Sequence, residues 1–157
     1  GQPGTARRSL AAGLQPAYAE QMGLLDAPER LAACLLLHDV ESIRQSDPHS
    51  EWRGWLAAAG LPAETGRHHY SFTHYDAAII GARAGLGVAM GRFQLARELV
   101  ARGELIFPFD TPYDQGLGYH VVTRREFSAL PRVRAFLDWL QQELGAMAAG
   151  DDAAAGR

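Results

Sequence analysis

Short apolar runs alternate with stretches in which apolar positions recur every three or four residues, and glycine or proline punctuates most of the changes. A weakly apolar run at 10–14 predicts a strand. Pro16 then opens a helical stretch that ends at Met22 and is closed by Gly23, since proline is tolerated in a first turn and glycine at a C-terminus. Residues 35–38 predict a second strand. Over 51–59, Trp52, Trp55 and Leu56 fall at i, i+3 and i+4 on one helical face, which Gly60 and Pro62 terminate. Both tryptophans are expected in the core. Residues 69–72 predict a strand running into a helix at 74–84, where Tyr75, Ala78, Ile79 and Ala82 form one stripe. Thr73 and Asp76 have the spacing of a capping box at its start.

A buried strand at 86–90 follows, then a helix at 93–101 ended by Gly103, a strand at 105–109, a polar loop at 110–118 and a strand at 119–123. The last helix starts near Pro131, turns Val133, Phe136, Leu137, Leu140 and Leu144 inward, and is expected to end before Gly145 or Gly150. Residues 147–157 hold only alanine, glycine, aspartate and arginine after Met147, which predicts a disordered tail. Near-strict alternation of strand and helix predicts an α/β layered fold with a largely parallel sheet.

Composition removes several chemistries. All 15 basic residues are arginine, with neither lysine nor asparagine anywhere in the chain. A Schiff-base lysine, a lysine-bearing phosphate loop and an N-glycosylation acceptor are therefore excluded. A chain of 157 residues buries roughly 70% of its unfolded surface, enough to fold without a disulfide or metal staple. The single cysteine, Cys34, heads an apolar run and is expected to be a buried, inert thiol, in keeping with a reducing compartment. No apolar run approaches the ~20 residues of a membrane span. Arg7 and Arg8 precede no signal-peptide core, so the expected location is the cytoplasm. A net charge of −3 with scattered arginines argues against a nucleic-acid surface on this chain.

Candidate chemistry is sparse. Gly81, Gly85, Gly87 and Gly91 suggest a nucleotide loop, but a phosphate cradle needs strand, glycines and then a helix N-terminus. Here a helix precedes the glycines and a strand follows. His38 with Asp39 resembles the dipeptide of metal-dependent phosphohydrolases but lacks further ligands at helical spacing, and His68 and His69 face opposite sides of a strand. No metal or other cofactor is expected, and with no serine-nucleophile elbow the chain is not read as an enzyme. What remains is the turn at Thr73 and His74, between a strand's carboxyl end and a helix's amino end, where ligands settle in open α/β sheets and helix donors favour an anion.

The segments in order resemble the effector-binding domain of LysR-type transcriptional regulators, in the branch similar to the glycine-cleavage activator and the β-lactamase regulator. The resemblance rests on Gln15, Pro16, Ala17 and Tyr18 with Gly23; on Pro28 to Leu31 (PERL); and on Leu35, Leu36, Leu37 and His38. It continues through 51–56 (EWRGWL) with Gly60, Phe72 with Tyr75 and Asp76, 82–90 (ARAGLGVAM), 103–109 (GELIFPF), 119–122 (YHVV), and 135–140 (AFLDWL) with Glu143.

The resemblance implies a periplasmic-binding-protein-like (type 2) three-layer α/β fold. It places a second regulatory subdomain at 10–118 and the return strand and C-terminal helix of the first at 119–146, with the first half of that subdomain and the winged helix-turn-helix absent from this chain. The implied function is sensing a small anionic effector in a cleft between the subdomains, with Phe72, Thr73 and His74 contributing the mappable residues. Many relatives carry a small hydroxyl residue where this sequence has His74. The implied partners are that effector, copies of the same chain in a homodimer or tetramer, DNA through the absent N-terminal domain, and RNA polymerase. A free-standing solute-binding protein of the same fold, or a small metal-dependent hydrolase around His38 and Asp39, are the alternatives.

Overall fold

The computed structural model describes residues 6–25, 27–40, 47, 49–111 and 113–155. The elements in order are β1 (Ala6–Gly13), α1 (Pro16–Met22), a 3-10 turn (Pro28–Ala33), β2 (Leu35–Asp39), α2 (Ser50–Ala58), β3 (His68–Phe72), α3 (Tyr75–Arg83), β4 (Val88–Arg92), α4 (Phe93–Ala101), β5 (Tyr113–Tyr119), a second 3-10 turn (Arg125–Phe127) and α5 (Pro131–Ala155). The chain divides into a unit of Ser9–Gln115 and a smaller unit built from the residues before Ser9 and Gly116–Arg157. Both boundaries fall inside a strand, β1 and β5.

The sheet order is β3-β2-β4-β1-β5. Strand β2 pairs parallel with both β3 and β4, while β1 pairs antiparallel with β4, so the sheet is mixed. Consecutive leucines explain the layering. Leu36 and Val88 belong to one apolar cluster with Trp52, Trp55 and Leu56 of α2, whereas Leu37 and Ala89 belong to another with Ala78, Ile79 and Ala82 of α3. Successive strand residues point to opposite faces, so the uninterrupted apolar run in β2 marks a strand covered on both sides. Helix, sheet and helix thus form three layers.

The tryptophans sit where their spacing placed them, and tertiary structure adds partners for their polar atoms. Trp52 donates its indole N–H to the Leu37 carbonyl at 2.9 Å, and Trp55 donates to the Thr111 carbonyl at 2.7 Å. Gly87 admits the close approach of β4 to β2, because a Cβ there would run into the Leu35 carbonyl.

Four expectations are corrected. Residues 105–109 are not a strand; only Leu14 and Ile106 form an isolated bridge. Leu105 and Phe109 are buried, and the Phe107 ring fills the space over Gly13 and Gly91, so this apolar stretch packs as a connection, and Pro108 lacks the N–H a ladder needs. The strand expected at 119–123 lies at Tyr113–Tyr119 instead, its alternation hidden in the sequence by Asp114, Gly116 and Gly118. Helix α5 continues through Gly145 and Gly150 to Ala155, since flanking alanines, the best helix formers, offset the roughly 1 kcal/mol that each glycine costs. The capping box is not formed: the helix N-cap is His74 in an extended conformation with no side-chain cap bond, which leaves Thr73 one residue outside.

Candidate functional site

Because β2, β3 and β4 are mutually parallel, their carboxyl ends lie along one edge. Asp39 closes β2 in register with Phe72, which closes β3, and Arg92 closes β4. Helix α3 starts three residues after Phe72 and α4 starts immediately after Arg92, so two helix N-termini meet this edge. The first N–H groups of a helix have no intrahelical acceptor and carry partial positive charge.

The structure brings the three sequence-predicted residues to this edge in different states. Phe72 is half-buried against the Leu37–Ile79 cluster, and its carbonyl accepts from the Val40 amide at 3.0 Å. It shapes the wall. Thr73 and His74 are exposed, with Thr73 Oγ1 and His74 Nδ1 paired at 2.9 Å. This pairing presents a hydroxyl and an imidazole together at the mouth of the α3 turn.

Sequence reading missed the charged pair beside them. Arg92 Nη2 donates to Asp39 Oδ2 at 3.0 Å, with the Arg92 side chain 12% and the Asp39 side chain 3% exposed. The guanidinium carbon lies 4.4 Å from the Tyr75 ring centroid, a cation–π geometry, and the Arg92 backbone N–H donates to the Tyr75 hydroxyl at 3.1 Å. An arginine ending a buried strand and followed at once by a helix was the available signal. Its partner sits 53 positions earlier, a separation no local pattern reveals.

The histidine and aspartate of the His38–Asp39 dipeptide do not come together. His38 turns away from Asp39, as neighbours on a strand must, and its Nε2 pairs with His69 Nδ1 at 2.8 Å. The His49 ring lies 4.1 Å from that of His38. Burial, followed by the nearby His49 and His69, pushes His38 down to about 3, so it is neutral near pH 7. Among the described residues no group of three histidine, cysteine or carboxylate side chains is arranged to hold a metal ion. Cys34 is fully buried, its thiol facing the Arg30 carbonyl at 3.6 Å. Burial raises its pKa, and Tyr18 beside it is pushed up to about 12 by burial and by the Cys34 sulfur. A thiol kept protonated is a poor nucleophile.

A three-layer α/β unit with polar groups gathered at the carboxyl edge of its parallel strands is the architecture of a small-molecule-binding domain. The family described as LysR substrate binding domain matches residues 7–145, and the chain belongs to that family. It is 31% identical over 131 residues to the HTH-type transcriptional regulator DsdC of Escherichia coli (strain K12), covering 82% of this chain and 41% of that protein. To the HTH-type transcriptional regulator TrpI of Pseudomonas aeruginosa it is 34% identical over 133 residues, covering 83% and 42% respectively. Among solved structures, the effector domain of the transcriptional regulator AmpR of Pseudomonas aeruginosa superposes with a TM-score of 0.70 at 26% identity, over 92% of this chain and 66% of that one. The chain thus spans about two-fifths of the length of the curated relatives it matches. Among the described residues no helix is long and apolar enough to cross a membrane.

Proposed function

We propose that this chain is the effector-sensing part of a LysR-type transcriptional regulator, and that a small anionic molecule binds at the carboxyl edge formed by Phe72, Thr73 and His74. The observation that carries the reading is that three parallel strand ends and two helix N-termini lie along one edge that includes this turn, in a chain whose family match covers 7–145. Thr73 and the first-turn donors of α3 hold the acidic group, with the His74 imidazole paired to the Thr73 hydroxyl beside it. Residues 10–115 serve as the second regulatory subdomain, and β5 and α5 as the return strand and last helix of the first. In the whole regulator, which works in the cytoplasm, an effector that binds one arrangement of the subdomains more tightly shifts the population toward it. That shift is read out by a homodimer or tetramer on DNA, through a winged helix-turn-helix, and by RNA polymerase. No catalytic step is involved.

Isothermal titration of small anions against the wild-type chain and a Thr73→Ala, His74→Ala double variant tests the assignment. Binding lost in the double variant supports it; unchanged binding sinks it.

A further inference from the structure

Three imidazoles from three elements meet on the face of the sheet opposite Asp39. His38 lies in β2, His69 in β3, and His49 is the N-cap of α2. Ring centroids are 4.1 Å apart for His38 and His49, 5.0 Å for His38 and His69, and 5.8 Å for His49 and His69. His38 is 2% exposed, whereas His69 is exposed. Trp52, in the first turn of α2, has its ring 6.3 Å from that of His38 and donates its indole N–H to the Leu37 carbonyl. The histidines thus sit where the start of α2 meets β2 and β3.

The hydrogen bond between them tolerates only one proton. A neutral imidazole has one N–H and one lone pair, while an imidazolium has two N–H groups and no acceptor. His38 Nε2 and His69 Nδ1 face each other at 2.8 Å, so protonating both nitrogens sets two donors and two like charges against each other. The N-terminal end of α2, itself partly positive, adds to the repulsion.

The surrounding charges do not offset this. Asp47 and Glu64 favour a charge on His38 and His69 respectively, but burial outweighs them and, with the neighbouring histidines, shifts both imidazoles down. Asp47 is engaged already: its Oδ1 accepts from the His49 backbone N–H, and its Oδ2 pairs with Arg53 at 3.2 Å. Glu51, in the first turn of α2, is buried and has a partner, and Asp39 holds Arg92 on the other face. His68 adds a further like charge near His69.

We propose that His38, His49 and His69 form an acid-sensitive latch: neutral imidazoles hold the first turn of α2 against β2 and β3, and protonation of the facing pair frees that turn. Trp55 keeps the rest of the helix in place, because it is fully buried and donates to the Thr111 carbonyl at 2.7 Å. The release is local, which distinguishes it from general acid unfolding. It is independent of where an effector binds.

The three tryptophans supply the test, through solvent exchange of their indole N–H protons followed by NMR on the 157-residue chain. Trp52 reports the latch, Trp55 the helix beyond it, and exposed Trp139 the reference rate. An imidazole kept neutral while the turn is closed, but titrating near its ordinary 6.5 when it opens, shifts the opening equilibrium about a hundredfold by pH 4.5. Between pH 7 and 4.5, the protection of Trp52 relative to Trp139 should fall at least tenfold, while that of Trp55 changes less than threefold. His38→Gln, whose amide can still hydrogen-bond His69, should flatten the Trp52 response to under threefold. Equal losses at Trp52 and Trp55, no loss at Trp52, or a His38→Gln variant with the wild-type response overturns the proposal. Should His38→Gln not fold, a His49→Gln, His69→Gln double variant decides: the loss at Trp52 should shrink at least threefold, and an unchanged loss overturns the latch.

Discussion

His38 Nε2 and His69 Nδ1 share a hydrogen bond of 2.8 Å between adjacent parallel strands, and His38 is neutral in the folded chain because burial and its two histidine neighbours disfavour a charge there. In the unfolded chain the same imidazole titrates near its ordinary 6.5. Between about 3 and 6.5 the unfolded state therefore binds the extra proton, and stability rises with pH across that window. His69, also shifted down by burial first and His49 second, acts in the same direction. The stabilisation is complete above 6.5 and is lost as pH falls toward 3. Urea unfolding at a series of pH values should show a midpoint that climbs from pH 4 to 6.5 more steeply than in a His38→Gln variant; equal slopes would place the acid sensitivity elsewhere.

Thr73→Ala is expected to leave stability within about 0.5 kcal/mol of wild type, because Thr73 lies outside the helix and caps nothing. A functioning N-cap would cost about 1 kcal/mol. Thermal melts separate the two, and a loss of the larger size would contradict the geometry.

The Arg92–Asp39 pair predicts an asymmetry. Asp39→Ala leaves a mostly buried guanidinium without its counter-ion and should cost about 3–5 kcal/mol. Arg92→Met combined with Asp39→Leu removes both charges and should cost much less than the two single changes summed. A double-mutant cycle by chemical denaturation checks this, and strict additivity would mean that the ions are not coupled.

Two glycines should respond in opposite directions. Gly87→Ala forces a methyl group against the Leu35 carbonyl and should destabilise by roughly 1–3 kcal/mol or more. Gly145 has open space around it within α5, so Gly145→Ala should stabilise the helix by about 0.5–1 kcal/mol. Circular dichroism melts of both variants give the comparison.

Where a segment's fate depends on its own residues, the sequence was readable. Pro16 and Gly23 bracket α1 at its observed ends, with Gly23 at φ +65° closing it, and the spacing of Trp52, Trp55 and Leu56 marked the buried face of α2. The stretch at 105–109 has the apolar content of a strand but finds only one bridge partner, while β5, which is polar, is recruited into the sheet. Strand formation needs a neighbour with free ladder groups, and no local pattern carries that information. The candidate site divides the same way. Thr73 and His74 were legible as a strand-to-helix turn, whereas Arg92 and Asp39 became an ion pair only when parallel pairing of β2 with β4 set their strand ends side by side.

The sequence by itself determined the α/β alternation, the family, the buried thiol and the turn where a ligand could sit, because each follows from residue type, local period or motif order. Tertiary structure alone decided that His38 faces His69 and not Asp39, and that Asp39 holds Arg92. These are long-range outcomes: adjacent strand residues diverge to opposite faces, and which distant group each one meets is set by strand order.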